Sequence, residues 1–481
     1  MLQLAPGSTV PGSARRLLTL TGLALAAASI ALPTPRLSAQ GFAVTVQSAC
    51  AMARGAAVVA RPCDDGSAVF FNPAGLVDAD GWRASAGTAV IATDGAFVPD
   101  DGGARTDLVS DARIVPHAFV HYEIDDGLAA GFGAYAAYGF STTWPRDFDG
   151  AFLSYDSALQ SLYLQPTLAY RLTERIAIGG GPILALSSVE LNRTVDLSGQ
   201  AIPGTDFGFD DLGVPEGTPF AATRLHSGWG SDRGVGWGAN LGLHARLSDR
   251  IEVGVRFLTP VRMRYEGTAS FTQIETGLLV PEDNPLDIPE GTPIDALVQS
   301  AFEDGPLVEQ AGSTELTFPA QLVGGVHVHA RPGLILSMDA HWFNWSSFDR
   351  VELRFEQPVL DDVLVQNYED AWAIRVGAGY AVAPAWSLGV GYIRNTSASP
   401  PETVTPLVPE ADRQHLTLGV EWQASERLAV HGTYHRLFQA DRRGRTVGPP
   451  PGEPPSVELN SGTYRMRAHL FAITASLGGG R

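Results

Sequence analysis

Apolar residues recur at every second position in segment after segment of the chain from Trp82 onward. In the segment 162–172, leucine, proline and tyrosine alternate with mostly polar or small residues, and the same period recurs in 251–257, 315–322 and 415–422. A period of two gives a β-strand one apolar face and one polar or small face. The pattern therefore predicts strands, although soluble sandwiches and membrane barrels both produce it.

The connections between these segments alternate between short and long. Short polar turns are predicted at 125–127, 173–175, 248–250, 331–333, 383–385 and 425–427, and the two longest loops near 192–233 and 271–313. Short turns at one rim and long loops at the other are typical of outer-membrane barrels, so we predict an all-β, antiparallel transmembrane β-barrel of about fourteen strands. The strands are expected near 81–95, 112–124, 128–141, 158–172, 176–191, 234–247, 251–270, 314–330, 334–356, 368–382, 386–395, 412–424, 428–439 and 461–477.

The amino-terminal residues have the features of an export signal. Two arginines precede an apolar run from Leu17 to Leu32, and small residues follow up to Ala39. This order is typical of a secretory signal peptide, which we predict over residues 1–39, with cleavage after Ala39. A membrane-anchor helix is the alternative interpretation of the same run.

Charge and composition exclude several classes of function. The 481 residues carry 33 basic and 52 acidic side chains, for a formal net charge of −19. Binding to nucleic acid is not expected, because phosphate recognition needs a basic excess. The hydrophobic content of 44% excludes a disordered chain.

Motifs for catalysis or metal binding are missing from the sequence. There is no GxSxG motif, so we predict no catalytic residue and no enzymatic activity. His327 and His329 share a strand face, but no third ligand is indicated, so no metal site is predicted. No cofactor is expected either.

Eight short motifs stand in one order along the chain: NPAGL (72–76), YGFSTTWP (138–145), GWGANLGL (236–243), TPVRMRYEG (259–267), TFPA (317–320), NWSSFDR (344–350), NYEDAW (367–372) and PEADRQHLTLGV (409–420). Together they resemble the FadL/TodX family of outer-membrane transporters of long-chain fatty acids and other hydrophobic compounds. The resemblance covers almost the whole chain after the signal peptide.

The resemblance implies a barrel over residues 81–481 whose lumen is plugged by an amino-terminal hatch, residues 40–80. It also implies passive transport across the cell outer membrane, in which apolar outer loops capture the substrate and an opening beside a kinked third strand releases it laterally. The expected partners are a long-chain fatty acid or another hydrophobic small molecule, together with outer-membrane lipid and lipopolysaccharide. We expect a monomer. A lipase-type enzyme and a structural or adhesive barrel are the alternatives.

The hatch and the third strand supply the first candidate residues. Asn72, Pro73 and Ala74 are expected to form a non-strand turn in the lumen, because proline fixes φ and asparagine bonds to neighbouring backbone. An ordinary Asn-Pro turn is the alternative. Tyr138 and Gly139 lie where the family's kink is expected, although a plain glycine-rich strand would fit the same residues.

Two cysteines, Cys50 and Cys63, both fall in the predicted hatch. An exported protein can keep a disulfide bond, which here would close a loop of about a dozen residues and stabilise by about 3 kcal/mol. Two free buried thiols are the alternative.

Two arginines are candidates for a carboxylate clamp. Arg256 and Arg375 project from the polar faces of predicted strands and can bind a carboxylate with two hydrogen bonds. Pairing with acids such as Glu252, Asp339 or Glu421 is the alternative.

The second long loop contains apolar residues that could form a ligand groove, namely Leu278, Leu279, Leu297, Val298 and Phe302. Exposed apolar loop residues suit a hydrophobic ligand, but packing of the loop on itself would bury the same residues. Apolar residues at helical spacing between 294 and 301 also predict a short amphipathic helix.

Overall fold

Strands dominate the computed structural model, which describes residues 41–109, 111–202, 204–228, 234–445 and 460–479. The strands are β1 (Trp82–Pro99), β2 (Thr106–Asp107), β3 (Arg113–Asp125), β4 (Leu128–Tyr135), β5 (Gly139–Thr143), β6 (Asp156–Thr173), β7 (Ile176–Asp196), β8 (Pro219–Ser227), β9 (Gly234–Ser248), β10 (Ile251–Leu258), β11 (Val261–Gln273), β12 (Gln310–Phe318), β13 (Gln321–Arg331), β14 (Leu334–Phe343), β15 (Arg350–Phe355), β16 (Asp362–Val365), β17 (Ala371–Ala383), β18 (Trp386–Asn395), β19 (Arg413–Gln423), β20 (Leu428–Gln439), β21 (Arg442–Arg443) and β22 (Gly462–Gly479). The α-helices in this part of the chain are α1 (Ala49–Ala53), α2 (Ala68–Phe71) and α3 (Ile294–Glu303). None of these helices is long and apolar enough to cross a membrane.

Antiparallel pairing closes the strands into a ring. From β1 the ring passes through β3, β4, β6, β7, β9, β10, β13, β14, β17, β18, β19, β20 and β22, and β22 pairs with β1 again. Within the described residues this ring has fourteen strands, which confirms the predicted all-β barrel. Closure leaves no strand of the ring at a free edge of the sheet.

Several predicted strands are interrupted. The third is broken between β4 and β5, the seventh at Thr259–Pro260, the eighth at Pro319–Ala320, and the ninth at 344–349. Proline explains two of these breaks because it cannot donate to the strand ladder.

The predicted long loops are also partly wrong in extent. The loop placed at 192–233 contains the end of β7 and all of β8. The loop placed at 271–313 is shortened by β11 and β12, which reach Gln273 and start at Gln310. The predicted signal peptide lies outside the described residues.

Apolar side chains cover the outside of the ring and polar ones the inside. On β6, Leu168, Tyr170 and Leu172 are 59%, 53% and 52% exposed, whereas Gln165 and Thr167, on the opposite face of the same strand, are buried. This is the reverse of a soluble protein and matches a barrel whose outer surface faces lipid. Exposed tryptophans lie near strand ends, namely Trp82, Trp237, Trp372, Trp386 and Trp422, whereas Trp345, which lies outside the strands, is fully buried.

Residues 41–80, which we call the luminal segment, occupy the interior of the ring. They contact each of its fourteen strands, through hydrogen bonds with β1, β6, β9, β14, β19, β20 and β22 and through close approaches to inward residues of the remaining seven. A segment that touches every strand of a closed ring must lie inside it. The lumen is therefore filled at this level by protein.

Candidate functional site

Asn72 connects two parts of the luminal segment to the barrel wall. Its side-chain amide donates to the carbonyl oxygens of Val59, at 2.7 Å, and Leu243 of β9, at 3.1 Å. Its Oδ1 accepts from the backbone N–H of Ala74 at 3.2 Å and caps a 3₁₀ turn that begins at Pro73. The side chain is fully buried, so its loss would leave backbone groups without partners.

A disulfide bond fastens the first half of the luminal segment. Cys50 in α1 is bonded to Cys63, 13 residues later. The enclosed loop carries Val58 and Val59, whose backbone N–H groups donate to Asp339 Oδ2 of β14 at 2.9 and 3.0 Å. The bond therefore stabilises the part of the segment that the wall holds by its backbone.

Inward glycines make room for the luminal segment. A Cβ atom on any of these glycines would lie within 3 Å of it: Gly131, Gly133, Gly179, Gly242, Gly254, Gly325, Gly377, Gly389, Gly391 and Gly419. They are spread over eight strands of the ring. Alternation places them on the inward face, but the sequence alone gives no sign that they face a buried chain rather than open space.

The third strand is broken at 136–138, and the luminal segment fills the break. Val44 N–H donates to the Ala137 carbonyl at 2.8 Å, and Gly139 N–H donates to the Phe42 carbonyl at 3.0 Å. The pairing of β3 with β4 ends at Ala118, while β5 pairs with β6. A gap in the ladder therefore lies beside the break, at the predicted Tyr138–Gly139 position, and residues 42–44 cover it from inside.

An aromatic cluster lies next to this break. Phe42 has ring contacts with Tyr138, Phe318, Trp345 and Phe348, at centroid distances between 4.7 and 6.4 Å. The Tyr138 hydroxyl donates to the Pro319 carbonyl at 2.6 Å. The start of the luminal segment is thus held by apolar packing as well as by backbone bonds.

Arg256 and Arg375 both point into the lumen and are buried. Arg256 Nη2 donates to Gln321 Oε1 at 2.7 Å, and its guanidinium lies 4.6 Å from the centre of the Phe70 ring. Arg375 is opposite Asp339 in the β14–β17 register. No side-chain nitrogen of Arg375 has a hydrogen-bond partner among the described residues, so this guanidinium could accept an anionic group.

Strand segments at the loop rim form a second enclosure, which we call the collar. It consists of the end of β7 followed by β8, the end of β11, β12, β15 and β16, each bonded to the next. The collar and loop residues enclose a cavity of about 490 Å³. Its walls are mainly apolar and include Leu191, Phe220, Phe271, Val298, Leu307 and Leu353.

The predicted groove residues behave differently from one another. Val298 lines the cavity. Leu278, Leu297 and Phe302 pack against a buried loop cluster, whereas Leu279 is 60% exposed. The predicted amphipathic helix is confirmed as α3. Much of the apolar loop surface is therefore used for packing of the loops on one another, and what remains open is the collar cavity.

A charged network holds the other end of the luminal segment, at the rim with short turns. Asp78 accepts from Arg246 and from His244 Nδ1, the latter at 3.1 Å, and lies 3.6 Å from Arg171 and 3.8 Å from Arg61. Burial raises the pKa of Asp78, but His244 and the arginines outweigh burial and leave that pKa below its ordinary value of 3.8. The carboxylate is therefore ionised at neutral pH.

Glu410 is a buried residue that sequence reasoning missed. Its Oε1 accepts from the backbone N–H of Gly41, the first described residue, and its Oε2 from Ala398 N–H at 3.2 Å. Burial raises the pKa of this carboxyl group. It joins the loop between β18 and β19 to the start of the luminal segment, and an acid in a loop carries no pattern that would reveal such a contact.

Residues 30–477 match the family model described as outer membrane protein transport protein (OMPP1/FadL/TodX). The chain belongs to this family. It is 22% identical to the long-chain fatty acid transport protein of Escherichia coli (strain K12), over 87% of this chain and 91% of that protein. It is 20% identical to outer membrane protein P1 of Haemophilus influenzae, over 92% and 96% of the two chains.

Solved structures of OMPP1/FadL/TodX proteins share the fold. A Pseudomonas aeruginosa FadL homologue superimposes with a TM-score of 0.76 at 20% identity, covering 91% of this chain and all of that one. The Pseudomonas putida toluene transporter TodX gives 0.64 at 17% identity, over 92% of this chain and all of TodX. Membership makes the protein an outer-membrane transport protein and not an enzyme.

Proposed function

We propose that the protein carries long-chain fatty acids or similar hydrophobic molecules passively across the outer membrane. The observation that carries this proposal is an apolar cavity at the loop rim of a barrel whose lumen is filled below it. Relatives named for long-chain fatty acid transport, and a similar structure named as a toluene transporter, support the substrate class.

Capture begins in the collar cavity. At about 490 Å³ it falls in the size range of small-molecule sites, roughly 300–1,000 Å³. Each methylene removed from water there contributes about 0.8 kcal/mol. An acyl chain is therefore held by burial, without any need for directional contacts along its length.

Within the lumen, Arg256 and Arg375 form a carboxylate clamp. Arg375 has no hydrogen-bond partner among the described residues, and Arg256 is bonded to the neutral amide of Gln321. A carboxylate between them would gain charge-assisted hydrogen bonds in a site already without water contact. Asp339, opposite Arg375, accepts two backbone N–H groups on its Oδ2 and makes no hydrogen bond with Arg375 among the described residues, so the guanidinium is available to a ligand.

Release is lateral, beside the broken third strand. The break at 136–138 is covered from inside by residues 42–44 through two backbone hydrogen bonds and the packing of Phe42. Moving these residues would open the wall toward the apolar outer surface. An exit through the wall keeps an acyl chain out of water, whereas an aqueous exit would cost about 0.8 kcal/mol per methylene.

Uptake of labelled palmitate by cells that lack their own transporter tests this route. Val298→Trp fills the cavity, Gly139→Leu crowds the break, and Asn72→Ala removes contacts worth about 1–3 kcal/mol between the luminal segment and the wall. Each variant should reach the membrane at normal levels and transport poorly, because the ring itself is untouched.

Matched controls are Leu279→Trp, at an exposed loop position, and Gly324→Leu, where an added Cβ meets nothing within 4 Å. Both should transport normally. Normal uptake by Val298→Trp would exclude the cavity from the route, and normal uptake by both Gly139→Leu and Asn72→Ala would exclude lateral release.

A further inference from the structure

A cavity at the rim with short turns gives access to the disulfide bond. The cavity has a volume of about 690 Å³, and Gly333, Glu426 and Arg427, in two of the short turns, form part of its wall. Cys50 and Cys63 both line it. Short turns are the periplasmic side of outer-membrane barrels. The disulfide bond is therefore within reach of periplasmic thiols, although it lies inside the ring.

The two sulfur atoms of this bond differ in exposure. Cys50 is half-buried, whereas Cys63 is 6% exposed. In thiol–disulfide exchange a thiolate attacks one sulfur, and the other sulfur leaves with the electron pair of the broken bond. A thiol that enters the cavity reaches Cys50 more readily, so Cys63 is the leaving sulfur.

The side chain of Arg54 lies against the leaving sulfur. Its Nη2 is 2.9 Å from Cys63 Sγ and 3.8 Å from Cys50 Sγ. Arg54 is 7% exposed, and among the described residues its guanidinium makes no other hydrogen bond and has no carboxylate within 4 Å. Asp65, whose charge also acts on Arg54, is hydrogen-bonded to two serines instead.

This arrangement favours a negative charge on Cys63. The intact disulfide bond is neutral and leaves the buried guanidinium of Arg54 without a direct counter-charge. Buried charges are stabilised when they are paired, and a neighbouring arginine stabilises a thiolate. Breaking the bond with the electron pair on Cys63 would supply the missing partner of Arg54.

We propose that the Cys50–Cys63 bond is a redox-modification site, which a dithiol entering the turn-side cavity reduces within the folded barrel, with Cys63 as the leaving sulfur and Arg54 as the residue that stabilises it. This inference goes beyond transport and does not depend on the proposed function. Arg54 is a positioning residue here, since it acts through Cys63 and exchanges no electrons itself.

The reduction takes two steps. In the first, a thiolate of the dithiol forms a bond to Cys50 Sγ while the Cys50–Cys63 bond breaks, and Cys63 leaves as a thiolate beside Arg54. In the second, the other thiol of the dithiol loses its proton and attacks its own partner sulfur, which displaces Cys50 as a thiolate that then takes up a proton. Two electrons pass to the protein, and the dithiol becomes a disulfide.

The rate of reduction by dithiothreitol tests the role of Arg54. Purified full-length protein in detergent is treated with dithiothreitol while the barrel stays folded, the thiols are trapped by alkylation, and the bridge is counted by mass spectrometry. Arg54→Gln should slow the reduction about tenfold, because a less stabilised thiolate leaves more slowly. Arg54→Lys should keep most of the rate, since it keeps the charge.

Two controls separate this effect from folding and from the general charge of the cavity. In protein unfolded by heating in dodecyl sulfate, the unmodified chain and Arg54→Gln should be reduced at the same rate. Arg427→Gln removes another arginine that lines the same cavity and should leave the rate of the folded protein unchanged. Equal rates for the folded unmodified protein and Arg54→Gln, or a bridge that dithiothreitol reduces only after unfolding, would overturn the proposal.

A second measurement uses the reduced protein. Alkylation by iodoacetamide is followed against pH for each cysteine by mass spectrometry, and the midpoint of Cys63 should lie below that of Cys50. Arg54→Gln should move the Cys63 midpoint upward, toward the ordinary thiol value of about 8.5. If Arg54→Gln does not assemble, the unmodified protein still decides the matter, because a Cys63 midpoint equal to or above that of Cys50 would contradict the stabilisation of its thiolate.

Discussion

The lumen and the collar of this barrel enclose space in opposite ways. The lumen is filled by its own chain, which a disulfide bond, Asn72 and backbone bonds to Asp339 hold against inward glycines. The collar encloses an open apolar cavity and is joined at its ends by the Arg193–Asp362 pair. The luminal segment is held in place, whereas the collar cavity is open to a ligand.

This difference indicates where movement is expected. Displacing the whole luminal segment would break contacts with all fourteen strands, whereas moving residues 42–44 breaks two backbone hydrogen bonds and the Phe42 packing. Local opening at the start of the luminal segment therefore costs far less free energy than displacing the whole segment from the lumen. Transport is expected to use small movements beside the third strand.

The largest expected effect comes from filling the space left by an inward glycine. A Cβ on Gly325 would lie 2.6 Å from Val59 Cγ1 and closer still to Asp339. Since even modest overpacking costs about 1–3 kcal/mol, Gly325→Leu should expel this part of the luminal segment. Cells should then admit large antibiotics, measured by vancomycin sensitivity, and the folded barrel should become open to protease.

The neighbouring position gives the matched control for that substitution. Gly324→Leu adds the same side chain one residue away, where a Cβ meets nothing within 4 Å, and should behave as the unmodified protein does. Equal sensitivity in the two variants would mean that the luminal segment does not seal the lumen.

Alternation along the chain was enough to predict the ring. Strands such as β18 and β20 start and end where their alternation does, because one face of each must suit lipid and the other the lumen. The breaks and the collar segments were not predictable in this way. β8 and β16 lie between the predicted strands, since β8 pairs with β11, which is remote in sequence, and β16 has only four residues to show any alternation.

The residues of the candidate site also differ in whether the sequence predicts them. Asn72 could be found because its motif is local, and its contacts within the turn follow from neighbouring residues. Arg193, Asp362 and Glu410 could not be found in this way, because the role of each depends on a contact with a residue on a distant strand or segment. Sequence patterns report periodicity and turns, whereas these contacts depend on how the ring closes.

The second prediction concerns the disulfide bond of the luminal segment. Cys50→Ala with Cys63→Ala removes a covalent closure worth about 3 kcal/mol for a loop of this length, so hydrogen exchange of residues 50–63 should become faster. The barrel strands should keep their protection. Mass spectrometry without reducing agent should find one bridge in the unmodified protein, and two alkylated thiols would refute it.

The smallest expected effect is at Asp78 and depends on pH. Because its folded-state pKa lies below the ordinary 3.8, the contribution of this carboxylate to stability is present above about pH 4 and is lost as the pH falls through the lowered value. Asp78→Asn should cost about 1–2 kcal/mol at pH 7, since several of its arginine partners are partly exposed. The measurement is the temperature at which the purified barrel unfolds, followed from pH 7 to pH 2.

The difference in unfolding temperature between the unmodified protein and Asp78→Asn should stay constant down to about pH 4 and disappear below it. At low pH, protonation removes the same charge in the unmodified protein. Asp80→Asn, two residues later at an exposed position, should show no gap at any pH. A difference in unfolding temperature that persists for Asp78→Asn at pH 2 would mean that the Asp78 side chain stabilises the luminal segment by packing rather than by its charge.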